Sequence, residues 1–196
     1  MNTEIITIID SSGSMHRLRA ETVSGYNKFI CEQQAVRGAA RATLVTFDNV
    51  VTGRYRAVPL GDVRPLALGE YLPAGTTALH DALGLTLEHH GQRIAQEKWA
   101  ENVIVCVITD GAENASNSYG AAQVKAMTAH AQAHGWHFIY LAANVDAFLT
   151  GAAMGISAVH TQSFQATPQG VGQSYANYSA AATSLRVHPA GGRSHG

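Results

Sequence analysis

The stretch Ile5-Ile6-Thr7-Ile8-Ile9, followed directly by Asp10-Ser11-Ser12-Gly13-Ser14, decides the fold of this chain. The first half is a continuous apolar run, which is typical of a parallel strand that is buried on both faces. The second half predicts a turn, because a helical pattern begins a few residues later. Open α/β sheets bind their ligands at the carboxyl ends of such strands. We therefore expect the carboxylate of Asp10 and the hydroxyls of Ser12 and Ser14 at a ligand-binding edge.

The composition is that of a compact globular protein. Of 196 residues, 46% are hydrophobic and 14% are charged, and this length suffices for one domain with a full core. The formal net charge of −1, without any basic block, argues against a broad nucleic-acid-binding surface. No apolar run approaches the ~18 residues of a membrane helix, and the early first strand leaves no room for a signal peptide. We expect a cytoplasmic protein that binds neither nucleic acid nor membrane.

Strand and helix patterns alternate along the chain. The predicted strands lie at about 5–9, 42–47, 50–58, 103–109, 136–141 and 158–164. The predicted helices lie at about 18–33, 79–94, 124–131, 146–154 and 168–186. Asp48-Asn49 suits a hairpin turn, which makes the strand after it an antiparallel edge strand. The alternation implies right-handed parallel crossovers, hence an α/β, Rossmann-like sheet of about six mainly parallel strands with helices on both faces.

We expect one domain over residues 1–187 and a flexible tail over 188–196. Cys31 falls in a helical pattern and Cys106 in a buried strand, so both should be small core residues rather than a disulfide or metal pair. His130 and His134 have the i,i+4 spacing that can hold zinc. They lack the glutamate of an H-E-x-x-H arrangement, which favours an exposed helix face instead.

Two further segments, like the D-S-S-G-S turn, place polar residues at the boundary of a predicted strand or helix. Residues 73–82 read PAGTTALHDA, a glycine and threonines that open an amphipathic helix, and residues 103–111 read VIVCVITDG, a buried strand that ends in T-D-G. Together with the D-S-S-G-S turn, they resemble in order and spacing the metal-ion-dependent adhesion site (MIDAS) of von Willebrand factor A (vWA) domains. The resemblance covers residues 3–165. It implies the three-layer vWA fold and a single-domain protein of the bacterial or phage type.

The resemblance also implies a set of metal ligands. These are Asp10, Ser12, Ser14, Thr77 and Asp110. The family pattern G-x-T-x-x-H/Y-D/E favours Thr77, and Thr76 stays open as the alternative, with helix capping as its other role. Carboxylate and hydroxyl oxygens are hard ligands that suit Mg²⁺ or Mn²⁺ better than zinc. We expect Mg²⁺ at this site, with Mn²⁺ or Ca²⁺ as alternatives.

Two carboxylates and several hydroxyls would leave a divalent ion electrophilic, with one coordination position open at the surface. The resemblance implies that an Asp or Glu carboxylate of a partner protein fills that position, and its charge favours such a ligand. The expected function is therefore a metal-dependent protein-binding adaptor without enzymatic activity, serving a larger ATPase-type complex.

Two alternatives stay open. An aspartate at the end of a first strand also begins aspartyl-phosphate chemistry, which would make the chain a Mg²⁺-dependent phosphohydrolase. Ser12 stands where that chemistry normally needs a second carboxylate, and Lys98 and Lys125 fall in helical stretches away from the sheet edge. In the other alternative the chain is a structural subunit, and the metal mainly stabilises it.

Several polar residues near the predicted site have open roles. Glu113 and Asn114 either line its rim or belong to a plain polar loop. Asn144 ends another strand at the same edge, and Asp146 is expected to cap the helix that follows.

Overall fold

The computed structural model describes residues 1–143 and 146–188. The strands are β1 (Thr3–Asp10), β2 (Ala40–Phe47), β3 (Val51–Pro59), β4 (Asn102–Thr109), β5 (Trp136–Ala143) and β6 (Thr161–Phe164). The helices are α1 (Arg19–Gln34), α2 (Leu79–Glu97), α3 (Ala121–Ala133), α4 (Ala147–Ala153) and α5 (Pro168–Val187). Short 3-10 turns cover Gly13–Leu18, Leu60–Asp62, Leu68–Glu70 and Ala158–His160.

The strands form a single sheet in the order β3-β2-β1-β4-β5-β6. β1 pairs in parallel with both β2 and β4, and β3 runs antiparallel to β2 at the edge. The chain leaves β1 toward β2 on one side and later returns to β4 on the other, so the strand order reverses between β1 and β4. Such a switch point opens a crevice at the carboxyl ends of the two strands. The predicted Rossmann-like sheet with one antiparallel edge strand is confirmed.

Helices cover both faces of the sheet, as predicted. On one face α1 and α5 pack together, and Phe29 stacks on Tyr178 with ring centroids 3.9 Å apart. On the other face α2, α3 and α4 contribute Leu83, Val124 and Ala147 to a second core. β1 and β4 are buried along their whole length, because they are central strands covered on both sides. This double coverage accounts for their continuous apolar sequences.

Two predicted details are wrong. The last strand begins at Thr161 rather than near residue 158, because Ser157 accepts a hydrogen bond from the amide of Val159 and the chain turns there. Cys31 is exposed, whereas Cys106 is buried as expected. Ile30 lies on the buried face of α1, and the next residue is rotated about 100° around the helix toward solvent.

Polar side chains of α1 form hydrogen bonds with the backbone of the long connection between β3 and α2. Arg19 Nε donates to the carbonyl of Tyr71 at 2.7 Å, and Gln34 Nε2 donates to the carbonyl of Leu60 at 2.9 Å. Between them, Asn27 exchanges two hydrogen bonds with the backbone of Leu66, at 3.0 and 2.8 Å. The connection is therefore held along the length of α1, which fixes the position from which residue 71 reaches β1.

The C-terminal part of the described chain is also anchored, because Arg186 on α5 donates to the carbonyl of Gln33 at 2.6 Å. The predicted domain limits, 1–187 with a tail at 188–196, stay a prediction, since residues 189–196 lie outside the described residues, as does Asn144. In the described ranges, the model contains no helix long and apolar enough to cross a membrane.

Candidate metal centre

Asp10 is the last residue of β1 and is fully buried at the switch point. Its Oδ1 accepts a hydrogen bond from the amide of Ser12 at 2.7 Å, and its Oδ2 accepts one from the hydroxyl of Thr109 at 2.5 Å. Its carbonyl oxygen accepts the hydroxyl of Tyr71. Burial raises the pKa of Asp10, the hydrogen bonds from Thr109 and Ser12 oppose that rise, and the charge of Asp110 adds to it. These contacts fix the orientation of the carboxylate.

Two serines connect Asp10 to the second carboxylate. Ser12 is buried, and its Oγ lies 3.2 Å from Ser14 Oγ. The Ser14 hydroxyl, which is nearer to solvent, donates to Asp110 Oδ1 at 2.5 Å. Asp110 directly follows β4, the strand beside β1, so the expected proximity of the two aspartates is realised. Four of the predicted ligands thus form one continuous polar cluster.

The second carboxylate oxygen of Asp110, Oδ2, lacks a compensating hydrogen-bond donor among the described residues. Asp110 Oδ2 is buried and has no hydrogen-bond partner in the part of the chain that the model describes. A buried charged oxygen without a partner costs free energy unless a cation or a donor compensates it. The guanidinium of Arg17 lies 4.0 Å away and is 61% exposed. A divalent cation would fit this orphaned oxygen and the hydroxyls around it.

Thr77 faces the same space from the loop before α2. A Cβ atom built on Gly111 would lie 3.1 Å from Thr77 Oγ1 and 3.8 Å from Asp10 Oδ2. Both oxygens therefore border one small volume that the missing side chain of Gly111 leaves open. Thr77 is 3% exposed, whereas Thr76 is exposed to solvent. Thr77 is therefore the threonine that lies beside Asp10, and its role as a metal ligand stays a prediction.

The loop after β4 holds Thr77 in place, a role that the sequence analysis left open. Asn114 Oδ1 accepts a hydrogen bond from the amide of Thr77 at 2.9 Å, and the Asn114 amide donates to the Thr77 carbonyl at 3.0 Å. Helix α2 has no capping side chain of its own, because Ala78 precedes it. That lack is the sequence signal that another segment must satisfy the amides of its first turn.

The same loop and the first turn of α2 cap each other. Glu113 accepts hydrogen bonds from the amides of His80, Ala115 and Ser116 at 2.7 to 2.9 Å. Burial tends to raise the pKa of Glu113, but the bonds from Ser116 and from these amides outweigh it and lower the pKa. In return, Asp81 on α2 accepts from the amides of residues 117, 118 and 119. These hydrogen bonds therefore hold the loop and the first turn of α2 together.

Backbone contacts join the turn after β1 to the segment before α2. The amide of Gly13 donates to the carbonyl of Gly75 at 3.1 Å, and the amide of Ala74 donates to the carbonyl of Ser11 at 2.8 Å. Gly75 has a φ of +69°, and a Cβ atom there would lie 2.3 Å from Asn49 Oδ1. The positive φ favours glycine at this position, because a side chain would strain the backbone and would have to displace the side chain of Asn49.

The structure also gives the positions of several other residues. Met15 is buried and His16 is exposed to solvent. Asp146 caps α4 by accepting the amide of Leu149 at 3.0 Å. Lys98 follows the last residue of α2, about 28 Å along the helix from the site. Lys125 is exposed on α3.

The paired histidines do not form a metal cluster. His130 and His134 are exposed, and their ring centroids are 4.3 Å apart. Over residues 1–143 and 146–188, no group of three or more His, Cys, Asp or Glu side chains could hold a metal ion. The candidate centre depends instead on two carboxylates combined with neutral hydroxyls.

Comparison with known proteins gives the fold. No protein-family model and no curated protein matches the chain. The vWF domain of the type V pili tip protein Mfa5 from Porphyromonas gingivalis superposes with a TM-score of 0.69 at 9% identity, over 97% of each chain. The fold is that of a vWA domain.

Two other vWA-fold structures contain metal. Proximal thread matrix protein 1 from the mussel byssus, solved with a zinc-occupied MIDAS motif, has a TM-score of 0.67 at 13% identity over 93% of this chain. This chain spans 46% of that structure, just under half of its length. The manganese-loaded TRAP protein of Plasmodium vivax has a TM-score of 0.50 at 18% identity, over 72% of this chain and 57% of that one. At such identities the likeness establishes the vWA fold alone.

Proposed function

We propose that this chain is a metal-dependent protein-binding module that works without enzymatic activity. A divalent cation, Mg²⁺ or alternatively Mn²⁺ or Ca²⁺, occupies the crevice between β1 and β4. Its proposed ligands are Asp10, Ser12, Ser14, Thr77 and Asp110. When bound, the cation supplies a Lewis-acidic position at the surface, where an Asp or Glu carboxylate of a partner protein binds.

The observation that carries this proposal is the buried oxygen of Asp110 that accepts no hydrogen bond among the described residues. Asp110 Oδ2 is buried at a switch point, and Ser14, Ser12 and the Asp10 carboxylate lie in the same cluster. Carboxylate and hydroxyl oxygens are the donors that hard divalent cations prefer. A cation bound here would offset the free-energy cost of the buried charge, which explains why the arrangement is tolerated.

Each residue would have a separate task. The hydrogen bonds from Ser12 and Thr109 to Asp10 hold the first carboxylate in one orientation. The Ser14 hydroxyl orients the second carboxylate, on Asp110. Because hydroxyls are neutral, the bound ion would keep much of its charge for an incoming anion. Asn114 would act indirectly, by fixing the backbone of Thr77.

The solved structures support both the bound cation and the protein-binding role. Two of them carry zinc or manganese, which supports a divalent cation at the corresponding place in this fold. The oxygen-only donor set of this chain favours Mg²⁺, Mn²⁺ or Ca²⁺ over zinc. A pili tip protein and a thread matrix protein are among the neighbours, which supports a role in protein assembly.

Our proposal also includes the setting of the module. We place it in the cytoplasm of a bacterial or phage-infected cell, as an adaptor that presents proteins to a larger ATPase-type complex. Because the neighbours include a pili tip protein and a matrix protein, an adhesive role outside the cell is the competing setting. Fractionation of the source cells distinguishes the two settings.

The proposal is tested by capturing partners from a lysate of the source cells with Mg²⁺ and again with EDTA. The bait is the wild type, Asp110→Ala or the control Asp62→Ala. Asp62 lies in the turn whose first carbonyl binds the C-terminal end of α1, so the control removes the same charge at the opposite edge of the sheet. A partner retained with Mg²⁺ by the wild type and the control, but not by Asp110→Ala, is the expected result. Equal capture in EDTA, or by a folded Asp110→Ala, would show that the working surface is elsewhere.

The burial of Asp10 and Asp110 favours one second candidate, a metal that mainly stabilises a structural subunit. A cation that binds only the folded state, at a hundredfold excess over its Kd, adds about 2.7 kcal/mol to the unfolding free energy. Under that alternative Asp110→Ala unfolds without the metal. We expect instead that the variant stays folded and loses only its partner, because two extensive cores hold the sheet.

A further inference from the structure

Arg17 lies at the mouth of the candidate centre, in the 3-10 turn that follows Ser12 and Ser14. Its side chain is 61% exposed, and its Nη2 lies 4.0 Å from the buried Asp110 Oδ2. Within the described chain the guanidinium donates no hydrogen bond, so its other donors face solvent. Arg17 thus presents a positive charge beside the opening.

Arg17 changes the net formal charge around the opening. Asp10 and Asp110 carry two negative charges, which a divalent cation would balance on its own. Among the described residues, Arg17 is the cationic side chain within ion-pair distance of either carboxylate. With the cation bound, the guanidinium would therefore leave the centre with an excess of one positive charge.

We infer that Arg17 couples cation binding to anion binding at this centre. Before a cation arrives, Arg17 partly neutralises Asp110. Once a cation is bound, the guanidinium repels it and at the same time attracts a carboxylate at the surface. The centre consequently binds a cation weakly on its own and more tightly together with an anionic ligand, which is a reciprocal coupling. This inference rests on the proposed metal site and names the residue that regulates its occupancy.

The size of the repulsion follows from Coulomb's law. A divalent ion and a guanidinium about 6 Å apart in water repel each other enough to weaken cation binding about tenfold at low ionic strength. At about 0.15 M salt the Debye length is about 8 Å, so the effect falls to about threefold. Replacing Arg17 by a neutral residue should strengthen cation binding by these factors, and raising the salt concentration should diminish the difference.

The test is a calorimetric titration of the full chain with Mg²⁺ alone at low and physiological ionic strength. Three variants are compared with the wild type: Arg17→Gln, Arg17→Lys and Arg37→Gln. Arg37 follows the end of α1, so its charge is about 25 Å from the site and serves as the matched control. We expect about tenfold tighter Mg²⁺ binding by Arg17→Gln at low salt. Arg17→Lys, which keeps the charge, and Arg37→Gln should resemble the wild type.

A second arm uses acetate, a single carboxylate, as the anionic probe. Acetate replaces chloride at constant ionic strength, and the Mg²⁺ titration is repeated. Acetate should tighten Mg²⁺ binding in the wild type and have a smaller effect in Arg17→Gln. Equal or weaker Mg²⁺ binding by Arg17→Gln, or an equal acetate effect in both proteins, would overturn the inference about Arg17 alone. If the wild type binds no Mg²⁺, the proposed metal site fails as well.

Discussion

Gly111→Ala would add one methyl group to the space that Thr77 and Asp10 share. The new Cβ atom would lie 3.1 Å from Thr77 Oγ1 and 3.8 Å from Asp10 Oδ2. Optimal contacts between such atoms are about 3.5 Å or longer, so Thr77 must move by about 0.3 Å or more. Coordination distances in metal sites hold to within about 0.2 Å. A displacement of this size is therefore enough to disturb a ligand.

Gly111→Ala should weaken metal binding and change the free energy of unfolding only slightly. Gly111 is not among the positive-φ residues, so the backbone accepts alanine there. The gain from a stiffer unfolded chain, about 0.4 to 1 kcal/mol, offsets part of the crowding. Without metal we expect the unfolding free energy of Gly111→Ala to stay within about 1 kcal/mol of the wild type. Mg²⁺ affinity should fall by about tenfold or more, as for other changes in the surroundings of metal ligands.

Calorimetric titration with Mg²⁺ and urea denaturation in EDTA measure the two effects separately. Gly91→Ala is the matched control, because a Cβ atom there meets nothing within 4 Å. This control should leave Mg²⁺ affinity unchanged and stabilise α2 by up to about 1 kcal/mol. An unaltered Mg²⁺ affinity in a folded Gly111→Ala would refute the placement of the cation between Thr77 and Asp10.

Three further predictions concern stability. Burial, followed by neighbouring positive charges, lowers the pKa of His90 from 6.5 to about 4. Because the unfolded chain takes up this proton first, the unfolding free energy should fall on acidification through that range, by about 2 kcal/mol at about pH 5. His90→Gln should lack this pH-dependent loss in urea titrations, whereas the exposed neighbour variant His89→Gln should keep it. Gly25→Ala would place a Cβ atom 2.3 Å from the ring of Tyr175 and should cost about 1 to 3 kcal/mol by urea denaturation. Asn114→Ala should cost about 1 kcal/mol by the same assay, because it leaves the amide of Thr77 without its acceptor, and it should also weaken Mg²⁺ binding through the proposed ligand Thr77.

The central part of the fold could be predicted from the sequence because it depends on simple periodicities. β1 and β4 are continuous apolar runs, and both are followed at once by polar residues. Two buried strands of this kind belong in the middle of a parallel sheet, which puts Asp10 and Asp110 at the same edge. The mutual proximity of these aspartates was therefore predictable without any knowledge of contacts.

The contacts between loops and helix ends could not be predicted in the same way. Nothing in the local sequence indicates that Glu113 caps the helix that begins 34 residues earlier, because the pairing depends on how β4 and α2 are positioned. The exposure of Cys31 shows a related difficulty. Cys31 stands between the apolar Ile30 and the charged Glu32, and a shift of one position around the helix decides whether a side chain faces the core.

The mutual capping between the loop at 113–119 and the start of α2 divides the candidate ligands into two groups. Thr77 and Asp110 belong to segments that this capping joins into one body, whereas Asp10, Ser12 and Ser14 belong to β1 and its turn. Hydrogen bonds from Thr109 to Asp10 and from Ser14 to Asp110 already join the two groups, and a cation there would add a further link between them. A mechanical load that broke these links would separate the ligands, so tension and cation concentration would act on the same equilibrium from opposite directions.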